Sequence, residues 1–224
     1  MTTTRQFDLI VFDWDGTLFD STAIITRSIQ AAAADLGLPV PSDRDASYVI
    51  GMGLVEALQH AVPALPRERY RELAERYRHH YFSAAHRIVF FDGIVAMLQA
   101  LRARGHLLAV ATGKSRAGLD AALDAAVDGA LLRGLFDASR TADETASKPH
   151  PRMLLELMEQ LVVAPERTLM IGDTTHDLQL AANAGAASIG VSYGAHDHAA
   201  FAGFDTRFVA HTVPELHGWL VRHG

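Results

Sequence analysis

Apolar positions along the chain fall into short continuous runs, separated by stretches with helical spacing. Phe7 to Phe12 (FDLIVF) is a near-continuous run of strand length, the form expected of a strand buried on both faces. Similar runs recur at Leu107–Thr112 (LLAVAT), Thr168–Asp173 (TLMIGD) and Ala187–Val191 (ASIGV), with a weaker one at Leu135–Ser139. Each ends in small or polar residues. Between them the spacing predicts helices over Ile94–Leu101 ahead of Gly105, over Met153–Leu161, and over Leu178–Ala184, stopped by Gly185. Strands alternating with helices predict βαβ units and an α/β fold with a parallel sheet. In such sheets ligands sit beyond the carboxyl ends of the strands.

The stretch from about Ser21 to Arg87 breaks this alternation. Ser21–Gly37 reads as a helix, with Ser21 as N-cap and Gly37 as its stop. Arg67–Phe82 reads as another, because Tyr70, Leu73, Tyr77 and Tyr81 share one face. Pro39, Pro41, Pro63 and Pro66 punctuate the region. The expected organisation is a core of residues 1–20 and 88–224, with residues 21–87 inserted as a helical cap. The five arginines between Arg67 and Arg78 are offset by three glutamates, as on a solvated helix face.

Composition narrows the class. Hydrophobic residues make up 49% and charged residues 21% of the 224 positions, which places the chain among ordinary globular proteins. No apolar run reaches the roughly 18 residues of a membrane span, and MTTTRQFD lacks the pattern of a signal peptide, so a cytoplasmic protein with no membrane partner is expected. The absence of cysteine excludes thiol catalysis and zinc–thiolate sites. A net charge of −6 argues against a nucleic-acid partner.

The polar strand ends carry the chemistry. Asp13 and Asp15 follow the first strand, Thr112 ends the second, Lys148 lies in SKPHP, and Asp173 and Asp177 follow the run that ends at Gly172. Four carboxylates and one lysine in one crevice require a cation, and oxygen ligands without His or Cys select a hard ion such as Mg²⁺. The same ion lets a phosphate dianion approach an aspartate. Thr112, neighbouring backbone N–H groups and Lys148 supply donors to phosphoryl oxygens. The constellation reads as a phosphoryl-transfer site.

In their order, FDWDGTLFDS, VATGK, ASKPHP and GDTTHD resemble the four motifs of the haloacid dehalogenase superfamily. The likeness covers essentially the whole chain, and its nearest branch is the phosphoglycolate phosphatase-like hydrolases. It implies a Rossmann-like core with a C1-type cap. It further implies that Asp13 is a nucleophile forming an aspartyl-phosphate and that Asp15 is the general acid and base. Mg²⁺ would be held by the Asp13 side chain, the Asp15 backbone carbonyl and Asp173. Thr112, Gly113 and Lys148 would bind the phosphoryl group, while Asp177 would orient Lys148 or metal-bound water, with Gly172 supporting. Gly113 departs from the asparagine common in relatives: the N–H survives and a side-chain contact is lost. A carboxylate at Asp15 favours a phosphatase over dehalogenases, which lack it, and over ATPases, which usually carry Thr there. The substrate implied is a small phosphorylated metabolite such as 2-phosphoglycolate.

Two other classes fit the same chemistry less well. A phosphosugar mutase of the same family would return the phosphoryl group to a sugar hydroxyl. A receiver-like phospho-switch shares the acidic pocket, Thr and Lys, but places its acceptor aspartate after the third strand in a chain about half as long. Other features stay open. Gly51-Met52-Gly53 reads equally as N–H donors to substrate or as a flexible helix boundary. Tyr193 and Gly194 read equally as a site border or a plain turn. His176 lies within the fourth motif, where histidine is not required, and its position there is what points it to the crevice. His196 and His198 read as surface histidines without a third ligand.

Overall fold

The computed structural model describes residues 5–85 and 89–224. After β1 (Leu9–Phe12) come four helices among the described residues: α1 (Thr22–Asp35), α2 (Asp43–Tyr48), α3 (Leu54–Ala61) and α4 (Tyr70–Ala84). Alternation then resumes with α5 (Ile94–Ala103), β2 (Leu107–Thr112), α6 (Arg116–Ala125), α7 (Gly129–Leu135), β3 (Ala138–Thr141) and α8 (Arg152–Leu161). The chain continues through β4 (Thr168–Gly172), α9 (Thr175–Ala184), β5 (Ala187–Val191), β6 (Thr206–Ala210) and α10 (Val213–His223). The strands form one parallel sheet in the order β3-β2-β1-β4-β5-β6, the order of a Rossmann-like sheet.

The continuous apolar runs are explained by two buried faces. Side chains alternate along a strand. Leu9 and Val11, with Ala109, Ala111 and Met170, pack on α8 and α9. Ile10 and Phe12, with Val110 and Ile171, pack on α5, α6, α7 and α10. Phe12 lies opposite Val110 on one side and Ile171 on the other. The chain leaving β1 therefore enters a crevice flanked by the ends of β2 and β4, where the strand order reverses direction.

The helices between β1 and α5 have an interior of their own. Ile25, Ile29, Ala32 and Ala33 of α1 pack against Tyr70, Leu73 and Ala74 of α4. The two chain passages to the core run side by side. The Asp20 N–H donates to the Val89 carbonyl at 2.9 Å, and the Phe91 N–H to the Leu18 carbonyl at 3.1 Å. The rings of Phe19 and Phe90 meet there, with centroids 3.8 Å apart. The expected boundary at residues 87 and 88 lies outside the described residues.

Several boundaries shift. Phe7 is buried but precedes β1, Arg67–Arg69 forms a 3₁₀ turn ahead of α4, and the weak run at Leu135–Ser139 is split between the end of α7 and β3. The edge strand β6 (TRFVA) was not evident because its half-exposed residues do not form an apolar run. Ser21 occupies the N-cap position of α1 without capping it, because its hydroxyl goes to Asp15. Asp177 is not an N-cap either. Thr174 caps α9, and Asp177 completes a capping box as its third residue.

Leu73 is fully buried in the helical unit. Leu73→Ala is expected to cost about 2–5 kcal/mol in chemical denaturation; a loss below about 0.5 kcal/mol would show that α1 and α4 do not enclose a packed interior.

Candidate active site

Four charged side chains converge where β1 and β4 end. Asp13, Lys148, Asp173 and Asp177 are each at most 2% exposed. The Lys148 ammonium donates to Asp177 Oδ1 at 2.7 Å and lies 2.8 Å from Asp13 Oδ1. The contact with Asp13 lacks hydrogen-bond geometry, so both Asp13 oxygens are buried without a donor. Asp177 is the opposite case: its Oδ2 also accepts from the Thr174 N–H and hydroxyl. Asp173 accepts from the Thr17 hydroxyl at 2.9 Å and from the Ala195 N–H at 2.7 Å. Gly172 lets this happen at close quarters, since a Cβ there would collide with the Asp177 carboxylate.

Asp15 points elsewhere. Its Oδ1 accepts from the Ser21 hydroxyl at 2.7 Å, and its Oδ2 lies 3.0 Å from Lys114 Nζ. Lys114 also donates to Tyr81 Oη of α4 at 2.8 Å. The four carboxylates therefore face two lysines, not the single Lys148 expected from the strand-end pattern. With Lys114 included, the fully ionised cluster carries a formal charge of −2. Lys114 was visible in VATGK as a cation two residues past Thr112, and Ser21 ended the first motif. Neither position on its own distinguishes a site residue from a turn.

The helical unit docks on the core around this site. Thr112 Oγ1 accepts the Lys114 N–H at 3.2 Å, which leaves its own hydrogen free to donate. Next to it, a Cβ on Gly113 would run into the Met52 carbonyl and lie 2.6 Å from that of Gly51. This is the physical reason for glycine here: the backbone of residues 51–52 fills the space an asparagine would need. The Gly53 N–H donates to Ser147 Oγ at 2.7 Å, so that donor is not free for a substrate. Tyr193 Oη donates to the Thr17 carbonyl at 3.3 Å, which makes this turn a border of the acidic cluster.

The histidines divide. His198 is exposed beside Asp197, as expected. His196 is not a surface residue but buried, because it and His176 both place Nε2 on the Tyr48 carbonyl, at 2.9 and 2.8 Å. A carbonyl only accepts, so both rings donate from Nε2. The Thr175 N–H donates to His196 Nδ1 at 3.0 Å, which fixes that ring as neutral. Burial holds both imidazoles below their ordinary pKa. The pair is a clamp on α2, and the ring of Tyr48 stacks on His196.

The donor set suits a hard divalent cation. Oxygens of Asp13, Asp173 and Asp177 lie within 4.8 Å of one another. Asp177 is saturated by Lys148 and Thr174, so the two undonated oxygens of Asp13 and the carboxylate of Asp173 are the side chains left for an ion. The Asp15 carboxylate is committed to Ser21 and Lys114, which leaves its backbone carbonyl. Burial pushes Asp13 up to about 7, with the Asp177 and Asp15 charges adding to it against Lys148. Burial, then the Asp13 and Asp177 charges, likewise raises Asp173 well above the usual range. Burial disfavours the Lys148 ammonium, yet Asp13 and Asp177 outweigh it and raise its pKa.

A Rossmann-like sheet with buried aspartates after its first and fourth strands, roofed by an inserted helical unit, defines a class of hydrolases. The family model described as haloacid dehalogenase-like hydrolase matches residues 10–191, and the chain belongs to that family. It is 36% identical over 221 residues to the "Probable phosphatase IndB" of Dickeya dadantii, covering 94% of this chain and 92% of the relative. It is 35% identical to a 5'-nucleotidase of Pseudomonas aeruginosa, covering 84% of each. Against a phosphoglycolate phosphatase of Pasteurella multocida the identity is 30%, covering 84% of this chain and 87% of that one. Among solved structures, a predicted phosphoglycolate phosphatase from Haemophilus somnus superposes with a TM-score of 0.83 at 26% identity, covering 98% of both chains.

Two outcomes follow from the geometry. Asp13 has a folded pKa above its unfolded value of about 3.9, so its ionisation costs stability. In divalent-free buffer that cost appears as pH rises from about 4 to 7 and is complete above it. The rise in Tm on adding Mg²⁺ is therefore expected to grow between pH 5 and 7.5, and to shrink in Asp13→Asn. A Mg²⁺ shift independent of pH and of Asp13 would count against the donor set. Gly113→Asn is expected to displace the 51–53 loop, read as faster proteolysis of the helical unit with the core intact.

Proposed function

We propose that the protein is a Mg²⁺-dependent phosphatase that hydrolyses a small phosphomonoester through an aspartyl-phosphate on Asp13, with residues 21–87 acting as a cap over the site. The observation that carries this reading is the Asp13 carboxylate. It is buried, the Lys148 ammonium beside Oδ1 is poorly aligned for a hydrogen bond, Oδ2 has no donor among the described residues, and it lies next to a second carboxylate. A structural aspartate in that position would be costly. A nucleophile that shares an ion with its substrate needs those oxygens free.

Bound to Asp13, Asp173 and the Asp15 carbonyl, Mg²⁺ would supply the positive charge that lets a phosphate dianion approach the carboxylates. The other parts belong to the chain. Asp13 attacks phosphorus as the bond to the leaving oxygen breaks, and Asp15, having taken a proton from solvent in place of its pairing with Lys114, gives that proton to the leaving oxygen. Asp15 then takes a proton from the water that cleaves the acyl phosphate, which returns both aspartates to their starting state. The Thr112 hydroxyl, the Gly113 N–H and Lys148 are assigned to the phosphoryl oxygens. Asp177 holds Lys148 in place. The cap excludes bulk water while the intermediate exists.

The names of the relatives support the reaction class. Among candidate substrates, 2-phosphoglycolate comes from the Pasteurella multocida relative and from the resemblance of the motifs.

With Mg²⁺, the purified protein is expected to release inorganic phosphate from p-nitrophenyl phosphate. Asp13→Asn should lower that rate by more than about a thousandfold with the fold retained, and Asp15→Asn by about a hundredfold or more. Asp173→Ala should abolish the response to magnesium. Full turnover in Asp13→Asn would remove the nucleophile assignment.

A further inference from the structure

Beside Asp15, a cavity of about 370 Å³ opens between the core and the helical unit. Its floor is Asp15, Gly113, Lys114 and Ser115, and its walls include Ile25, Ile29, Met52, Leu54, Tyr77 and Tyr81. Asp13, the residue assigned to the phosphorus atom, is not part of the lining. The space is therefore the place of the leaving group.

From this cavity we infer that the leaving alcohol of the preferred substrate carries an aromatic ring, and that glycolate is too small and too charged for it. The inference rests on the phosphatase reading above. At about 30 Å³ for each water molecule, the cavity has room for about a dozen, and its volume falls in the range of sites for ring-bearing ligands. Glycolate has about five non-hydrogen atoms and leaves more than half of that space to water.

Charge points the same way. Lys114, the cation on the floor, is already paired with Asp15 and hydrogen-bonded to Tyr81. Glu56 and Asp143 add two carboxylates to the lining, and Arg78 adds one exposed guanidinium. Counted with Asp15, the lining carries more negative than positive charge. Among the described residues, the unpaired cation it offers is the exposed Arg78, while Lys114 next to Asp15 is already paired, so a second anionic group on the substrate is poorly matched. The walls offer what a ring uses. Tyr77 and Tyr81, one turn apart on α4, are stacked with centroids 5.8 Å apart and planes 22° from parallel. A third ring beside them can take the offset or edge-on geometry that aromatic groups prefer.

The test compares esters of matched chemical reactivity: ethyl phosphate, 2-phenylethyl phosphate and 2-phosphoglycolate, each followed by phosphate release in Mg²⁺. The inference expects kcat/KM for 2-phenylethyl phosphate to exceed that for each of the other two by at least about tenfold. Val55 lines the cavity from α3 and is 55% exposed, so a larger side chain can be added there without disturbing the packed interior. Val55→Trp should cut the preference for 2-phenylethyl over ethyl phosphate by at least about fivefold. Equal or better turnover of 2-phosphoglycolate would overturn the inference and leave the phosphatase reading standing, as would a preference unmoved by Val55→Trp. No phosphate release from any of the three or from p-nitrophenyl phosphate would overturn both.

Discussion

The central constraint on this protein is the burial of like charge. Asp13, Asp173 and Asp177 sit together out of water, with Lys148 as the one ammonium among them in the described residues. Carboxylates in that situation are stabilised only by donors, cations or protons. The surrounding chain supplies donors unevenly. Thr174 and Lys148 satisfy Asp177, and Thr17 with Ala195 puts one donor on each oxygen of Asp173, while among the described residues Asp13 has only the poorly aligned Lys148 ammonium beside Oδ1. The imbalance gives three chemically equal residues different parts to play. Asp177, with donors filling both oxygens, is a fixed strut, while Asp173, with one donor on each oxygen, and Asp13 keep lone pairs open to a cation. Glycines at 16, 172 and 194 surround the cluster where any Cβ would strike the Asp173 or Asp177 carboxylate, so the crowding is built into the backbone.

The helical unit is held to the core by contacts that are mostly backbone at one end. Carbonyls of Gly51 and Met52 rest on Gly113, the Gly53 N–H is held by Ser147, and the Tyr48 carbonyl receives both His176 and His196. Lys114 is the exception, because it ties Asp15 to Tyr81 through side chains alone. Any change in the seating of α4 therefore reaches Asp15 directly. In this way the roof of the cavity and the Asp15 carboxylate share one ammonium.

Much of this was legible in the sequence, for reasons that differ by residue. The strands β1, β2, β4 and β5 announce themselves because both their faces are buried, which leaves no polar alternation to confuse the pattern. Asp13, Asp15, Thr112, Lys148, Asp173 and Asp177 could be picked out because they stand at strand ends in one order. The edge strand β6 and the short helices α2, α3, α6 and α7 could not, since each presents only part of a face to an interior. Lys114, Ser21, Thr17 and His196 were missed for another reason. Except for Ser21, which bonds Asp15 six residues away but stands where a helix N-cap would, their partners lie up to 156 residues away in the chain, and a polar residue bonded across such a distance looks locally like any loop residue. Gly113 was recognised as a departure, but its meaning depended on the loop of residues 51–53 in the helical unit, whose position no local pattern encodes.

The two passages between core and helical unit lie within one hydrogen bond of each other, at Asp20 and Val89. An insertion that enters and leaves at a single point behaves as a module, because its removal leaves a gap that a hairpin-length link can close. The chemistry at the strand ends and the roof that screens it are therefore separable in construction. A lineage built this way can exchange roofs, and with them the alcohols it accepts, while the phosphorus-handling floor stays as it is.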